Sequence, residues 1–158
     1  MKRDKNLVEL SRDHHHGLLL GWKVRQGLKL KASEKLIAEY VQYFTKAALV
    51  PHFKEEEEVL LKFLPDQDVF KQRTLQEHAE VLKLVQLLDS PANINSASLL
   101  NIGDLLDRHI RFEERELFPY MEQKLSAEEL KEVGAALEEI HQPFTENFSN
   151  EFWKAPAH

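Results

Sequence analysis

Two segments of the sequence place a histidine and a glutamate four residues apart within the same pattern of neighbours. His52 precedes Glu56 and His109 precedes Glu113; in each case a second glutamate follows directly, and a leucine stands eight positions after the histidine. Residues four apart lie one turn apart on one face of a helix, and this face is otherwise apolar in both segments. A carboxylate on an apolar face is costly unless it is paired or binds a metal ion. The repeat therefore predicts metal ligation.

Two further histidines stand on apolar stripes of other predicted helices. His14 and His78 each follow an acidic residue and precede a leucine by four positions. A single inward histidine is more often a hydrogen-bonded core residue than a ligand. Inward histidines on four helices, two of them paired with a carboxylate, favour a shared metal site instead. His15 is the alternative to His14, or an additional ligand or hydrogen-bond donor.

The other histidines and the glutamates beside Glu56 are not predicted to bind metal. His141 and His158 lie outside the pattern and are not predicted as ligands. Glu55, Glu57 and Glu58 flank the candidate ligand Glu56 in a run of glutamates. Such runs usually form a solvated helix face, so we expect these three side chains to face solvent.

The donor types limit the choice of metal. Imidazole and carboxylate ligands without thiolate suit iron, manganese or zinc, and the sequence contains no cysteine. Six such groups exceed what one tetrahedral zinc ion needs and are about what two iron or manganese ions need when carboxylates bridge them. Two divalent ions carry a formal charge of about +4, of which two glutamates cancel half. Water, hydroxide or a small anion is expected to complete the shell, which leaves positions open for chemistry.

The composition predicts helices around these residues. The 158 residues have the size of one domain, and with only 5 glycines and 6 prolines they are rich in helix-forming residues. Four long amphipathic patterns with short connections predict an all-α, up-down-up-down four-helix bundle over about residues 4–125. A capping box at Ser126 and Glu129 predicts a short additional C-terminal helix up to about Ile140. We treat residues 1–158 as one domain, whose aromatic C-terminal tail is expected to fold over the bundle.

Several residues mark where the long helices begin, bend or end. The first helix is predicted to begin near Asp4, and Ser33 is a plausible N-cap of the second. Pro51 is expected to bend or divide the second helix because it lacks a backbone donor and clashes with the preceding turn. Asp66 or Asp68 caps the third helix. Pro119 is expected to disturb the last turn of the fourth.

Charge and hydropathy exclude several classes of function. The net charge of −6 argues against a nucleic-acid partner, because no basic face is needed to explain the chain. The absence of cysteine excludes disulfides and cysteine-bound iron–sulfur clusters. The charged N-terminus leads into no apolar segment of signal-peptide type, and no apolar run approaches the roughly 20 residues that span a bilayer. A cytoplasmic protein without membrane or nucleic-acid partners is therefore expected.

These motifs resemble those of hemerythrin-like proteins, also called HHE cation-binding domains. The resemblance rests on residues 10–15, on His52 with Glu56, on His78 and on residues 109–119, and it covers about residues 4–125. It implies a four-helix bundle with a non-haem di-iron centre that meets oxygen, nitric oxide or other small oxidants. Carried over by position, it implies the metal ligands His14, His52, Glu56, His78, His109 and Glu113, with the two glutamates as bridges. His15 and Glu114 are the further candidates.

The sequence departs from the oxygen carriers of this family. Thr74 occupies the position, four residues before His78, where those carriers have a second histidine, and Glu114 stands beside Glu113 where they have one carboxylate. A shell poorer in histidine favours a binding or sensing protein for a small diatomic or anionic ligand over simple oxygen carriage. A redox enzyme, or a protein of iron-centre repair or iron delivery, is the alternative, and a structural zinc domain ranks below both. A sensor without an output domain is expected to act through a partner protein.

Overall fold

The computed structural model describes residues 2–155, which form helices joined by short connections. The helices are α1 (Val8–Lys29), α2 (Glu34–Phe44), α3 (Val50–Glu55), α4 (Val69–Leu87), α5 (Ser96–Phe112), α6 (Phe118–Lys124) and α7 (Ala127–Ile140). No strand occurs among residues 2–155. The predicted all-α class is therefore confirmed.

Some of these helices join without a break into longer ones. The first long helix is α1; the second runs through residues 34–63, the third is α4, and the fourth runs through residues 96–124. π-helical turns at Thr45–Leu49, Glu56–Leu60 and Glu113–Leu117 lie inside the second and fourth of them. A 3₁₀ turn at Leu61–Phe63 ends the second long helix.

Two of the π turns explain how the helices accommodate proline. Thr45–Leu49 ends two residues before Pro51, and Glu113–Leu117 ends two residues before Pro119. Proline clashes with the carbonyl group four residues earlier and cannot donate to it. In both cases that carbonyl lies within the wider π turn, so the helix continues past the proline. The disturbance expected at each proline takes the form of a π turn, and neither helix is divided.

Helix ends follow the predicted caps with two refinements. The Ser33 side chain accepts from the backbone N–H of Leu36, and Ser126 forms the predicted capping box. Of the two candidates for the third helix, Asp68 accepts from the backbone of Lys71, while Asp66 pairs with the Lys71 ammonium group. The first helix begins at Val8 rather than near Asp4.

The interior contains two hydrophobic clusters, one towards each end of the long helices. The first includes Leu20, Val24, Tyr40, Phe44, Leu106 and Ile110. The second includes Leu7, Leu10, Val59, Leu117 and Phe118. Along the long helices the candidate ligands lie where the members of one cluster give way to those of the other, so apolar side chains flank them towards both ends.

α7 and the C-terminal tail each pack against one of the two hydrophobic clusters. α7 buries Leu130, Val133 and Leu137 in the second hydrophobic cluster. Phe152 and Trp153 of the tail are buried in the first, which confirms that the tail folds over the helices. Among the residues described, no helix combines the length and apolar character that crossing a bilayer requires.

Candidate metal centre

Six buried histidine and glutamate side chains from all four long helices converge. They are His14 of α1, His52 of α3, His78 of α4, His109 of α5, and Glu56 and Glu113 at the first positions of two π turns. Their donor atoms form two groups, His14 with His52 and His78 with His109, and each group also contains both glutamates. Within each group the donor atoms lie within 4.8 Å of one another. The structure thus brings together the whole predicted ligand set, and ligation itself stays a prediction.

Each glutamate directs one carboxylate oxygen towards each group. Glu56 Oε2 lies 3.1 Å from His52 Nε2, and its Oε1 lies 3.0 Å from His78 Nε2. The oxygens of the second glutamate lie 2.8 Å from His14 Nε2 and 3.2 Å from His109 Nε2. A carboxylate that presents one oxygen to each of two donor groups is placed as a bridging ligand would be.

Most of the converging atoms lack a hydrogen bond. The buried atoms without a partner include Nε2 of His52, His78 and His109, both carboxylate oxygens of Glu56, and Oε2 of Glu113. A buried polar atom left unsatisfied costs about 1–3 kcal/mol. Six of them in one place are explained if they share cations, because ligation replaces the missing hydrogen bonds. Nitrogen and carboxylate oxygen are suitable donors for iron, manganese or zinc.

A carboxylate holds the opposite nitrogen of every histidine in the cluster. The Nδ1 distances are 2.6 Å from His14 to Glu114, 2.8 Å from His52 to Asp13, 2.7 Å from His78 to Glu57 and 2.7 Å from His109 to Glu77. A carboxylate at Nδ1 accepts the N–H there and leaves the lone pair on Nε2. This is the arrangement that orients metal-ligating histidines and raises their basicity.

These four contacts close a ring around the cluster. Asp13 of the first long helix holds the histidine of the second, and Glu57 of the second holds that of the third. Glu77 of the third holds that of the fourth, and Glu114 of the fourth holds that of the first. Each long helix therefore supplies one histidine to the cluster and one carboxylate that orients its neighbour's histidine.

The comparison with known families agrees with this geometry. The family model of the hemerythrin HHE cation-binding domain matches residues 6–121. The chain belongs to this family. The matched segment contains all six converging residues and the four carboxylates that orient them, whereas α7 and the tail lie beyond it. No curated protein and no solved structure matched the chain.

Two candidates of this HHE domain lie outside the cluster of donors. His15 is exposed, because a step of one residue turns its side chain away from the buried face of α1 that carries His14. Glu114 contacts the Nδ1 side of His14 and also accepts from the Ser11 hydroxyl, at 2.7 Å. The structure thus favours His14 over His15, and it gives Glu114 an orienting contact.

The glutamate run beside His52 is less exposed than expected. Glu58 alone of the three flanking residues is exposed; Glu55 is buried and Glu57 is partly buried. The expectation of a solvated face is wrong for these two, because neighbouring elements cover both. Glu57 reaches the histidine of α4, and Glu55 contacts His141 beyond the end of α7. His158 lies outside the described residues.

Sequence reasoning missed Asp13, Glu57 and Glu77 as partners of the cluster. In the first and third long helices the orienting carboxylate is the residue directly before the histidine. In the second and fourth it is the residue directly after the bridging-type glutamate. This regular placement was a visible signal, but the partner of each carboxylate lies on another helix.

The charges within the cluster shift the pKa values of its members in the metal-free protein. Burial lowers the pKa of His52, but the charge of Glu56 and the contact with Asp13 outweigh burial and raise the pKa to about 9. Burial and the charge of Glu113 raise the pKa of Glu56, yet His52 and His14 bring it down to about 2. In the metal-free protein the imidazoles therefore carry a second proton, on Nε2, which must leave before that nitrogen binds a metal ion.

An enclosed cavity of about 30 Å³ adjoins the cluster. His14, His52, His109 and Glu113 line it on one side. Its other walls include the apolar side chains of Phe44, Leu49, Phe53, Leu106, Ile110 and Phe144. A space of this size holds one or two water-sized molecules, so it has room for a diatomic ligand.

The orienting carboxylates yield a prediction at Glu77. Glu77→Gln is expected to weaken metal binding about 10–100-fold, because the amide fixes the tautomer and basicity of His109 less well than the carboxylate does. Competition with a chromophoric chelator measures the affinity. Glu80→Gln, an exposed change on the same helix, is the matched control. Equal affinities in the two variants would contradict an orienting role for Glu77.

Proposed function

We propose that this HHE domain binds two iron ions in the buried cluster and uses them to bind or sense a small ligand such as oxygen or nitric oxide. The observation that carries the proposal is the pair of donor groups that share Glu56 and Glu113, with one oxygen of each glutamate facing each group. Two histidines per group complete the set. The helices hold these donors at a fixed spacing and shield them from water.

The charge around the cluster supports iron. Six carboxylates lie in or directly around it: Glu56, Glu113, Asp13, Glu57, Glu77 and Glu114. Their formal charge of about −6 matches two ferric ions and exceeds the charge of two divalent ions. An environment of this charge stabilises the oxidised form of a redox-active metal. Zinc, which has no redox chemistry, gains nothing from that stabilisation.

The number of protein donors supports an open site. Each group offers four donor atoms, two from imidazole and two from carboxylate. Two iron ions held by four donors each would supply vacant coordination positions and one-electron redox chemistry to an incoming ligand. The cavity beside His14, His52 and His109 gives a small ligand room next to these positions.

The third long helix supports sensing over oxygen carriage. Thr74 is fully buried, and its hydroxyl donates to the Phe70 carbonyl oxygen at 2.8 Å. This residue therefore adds no imidazole to the cluster, and the two groups hold equal numbers of histidines. The family's oxygen carriers, by contrast, carry a second histidine at this position. We propose that the symmetric, histidine-poorer shell serves ligand sensing or redox handling.

The ring of orienting contacts supports the predicted order of the helices. Each long helix contacts the histidine of the next, and the fourth contacts the first. Consecutive helices that are neighbours in space and joined by short connections are typical of an up-down-up-down bundle. We propose this topology for one domain whose bundle spans about residues 4–125.

Metal analysis and optical spectra test the proposed function. Protein produced in iron-supplemented medium is expected to contain about two iron ions per chain and to show oxo-bridge charge-transfer bands in air. Anaerobic reduction should bleach these bands, and oxygen or nitric oxide added to the reduced protein should produce new ones. Stoichiometric zinc with a featureless spectrum would overturn the proposal in favour of a structural metal site.

A further inference from the structure

A second group of ligand-type side chains lies outside the six-residue cluster, and its histidine lies beyond the segment that the family model matches. Its central residue is His141, which follows α7 and is only 6% exposed. Asp13 and Glu55 offer donor atoms within 4.8 Å of its ring nitrogen. Glu9, one turn before Asp13 on α1, reaches the same ring.

The ring of His141 is oriented in the same way as the four histidines of the cluster. Its Nδ1 lies 2.7 Å from Glu55 Oε1, so the carboxylate accepts the N–H and leaves the lone pair on Nε2. The His141 ring is therefore a fifth instance of the carboxylate–histidine arrangement. In the other four, Nε2 points to the candidate metal centre.

The spacing of the atoms around Nε2 suits a cation better than hydrogen bonds. Nε2 lies 3.4 Å from Asp13 Oδ1 and 3.6 Å from Glu9 Oε2. Both distances exceed that of an ordinary N–H···O hydrogen bond. Two ligand atoms that share a tetrahedral ion, each about 2.0–2.1 Å from it, are about 3.3–3.4 Å apart. A small movement of the partly exposed Glu9 side chain brings its oxygen into that range.

We propose that His141, Asp13 and Glu9 form an accessory site for a single divalent transition-metal ion, with Glu55 orienting the histidine. One imidazole and two carboxylates, completed by water, suit Fe²⁺, Mn²⁺ or Zn²⁺. The second oxygen of Glu9 pairs with Arg12 at 2.6 Å, which leaves Oε2 for the ion. The accessory site is mononuclear, and it uses no donor of the six-residue cluster.

Its position assigns the accessory site a role in metal uptake, and this role rests on the proposed function of the cluster. Glu9 and His141 line an open groove on the surface, together with Glu138. Asp13 and Glu55 line the enclosed cavity beside the cluster. Asp13 Oδ2 lies 2.8 Å from His52 Nδ1, so one carboxylate joins the two sites. A divalent ion bound in the groove is thus separated from the six-residue cluster by the Asp13 carboxylate alone.

Metal titration of the full-length, chelator-treated protein tests the site. Anaerobic titration with Mn²⁺ is expected to saturate at three ions per chain, with one ion giving the six-line spin-resonance signal of an isolated Mn²⁺. Glu9→Gln and His141→Gln are expected to bind two ions and to lose that signal. Glu138→Gln, an exposed change in the same groove, is the matched control and should bind three. Glu9 is partly exposed, so its variant tests the site even if the His141 variant folds poorly.

The rate of iron loading tests the uptake role. In Glu9→Gln the two-ion centre, followed by its oxo-bridge absorption in air, is expected to fill with iron at least several-fold more slowly than in the Glu138→Gln control, yet to reach the same final absorbance per chain. Equal rates would overturn the uptake role, and saturation of the unaltered protein at two Mn²⁺ ions would overturn the accessory site. Failure of the proposed di-iron centre is distinguishable, because the final iron content would then fall below two in every variant.

Discussion

Glu56→Gln and Glu113→Gln are each expected to reduce the iron content of the loaded protein from two ions per chain to one or fewer. Each glutamate presents one oxygen to each donor group, so either change removes an oxygen donor from one group and leaves only a neutral amide oxygen for the other. Glutamine keeps the volume of the buried side chain, but it removes a negative charge and replaces one oxygen donor by an amide nitrogen. Metal analysis after iron loading and desalting measures the effect.

Glu58→Gln is the matched control for this prediction. Glu58 lies in the same π turn as Glu56, and its side chain is 63% exposed. This variant should retain two iron ions. Glu57 is unsuitable as a neutral control because it holds His78 Nδ1 at 2.7 Å. Two iron ions in Glu56→Gln or Glu113→Gln, with thermal unfolding showing an intact fold, would contradict the bridging roles.

Removal of the metal is expected to lower the melting temperature by about 8–16 °C. A ligand present at about 1,000 times its dissociation constant stabilises the folded state by about 4 kcal/mol. For a chain of this size each kcal/mol shifts the midpoint by about 2–4 °C. The structural reason is the set of buried donor atoms that have no hydrogen bond among the described residues. Calorimetry of chelator-treated and metal-loaded protein measures the difference, and equal melting temperatures would contradict a buried metal centre.

The difference in melting temperature between the metal-loaded and the metal-free protein is expected to grow as the pH rises from 6 to 8. The raised pKa of His52, about 9 against 6.5 for the free side chain, stabilises the metal-free fold at low pH. This contribution is complete below about pH 6.5 and is lost as the pH rises through about 9. The metal competes with the same protons, so its affinity rises with pH. A larger melting difference at pH 6 than at pH 8 would contradict this proton competition.

The contribution of Glu56 to the stability of the metal-free fold depends on pH in the opposite direction. Its pKa of about 2, against 4.5 for the free side chain, means that the contribution is present above about pH 4.5. It is lost as the pH falls through about 2. The metal-free protein is therefore expected to be most stable between about pH 4.5 and 6.5, where both contributions are present.

The sequence alone predicted the helical class and the six converging residues, with His15 as the alternative to His14. A spacing of four residues on an apolar face is a local property, because helix geometry by itself places His52 over Glu56 and His109 over Glu113. The caps at Ser33 and Ser126 are local in the same sense, since each side chain accepts from a backbone N–H three residues later. Patterns of this kind need no knowledge of how the helices pack.

Only the tertiary structure decided which side chains contact and orient these residues. The choice of His14 over His15 depends on which face α1 turns inward, and adjacent residues differ by about 100° around a helix. Glu57, within an apparently solvated run, reaches a histidine 21 residues later in the chain, and His141 meets a glutamate 86 residues earlier. Contacts between distant segments arise from the packing of helices, so a local pattern does not show which partner a residue meets. For this reason the sequence determined which residues could bind metal, and the packing decided how each is oriented and enclosed.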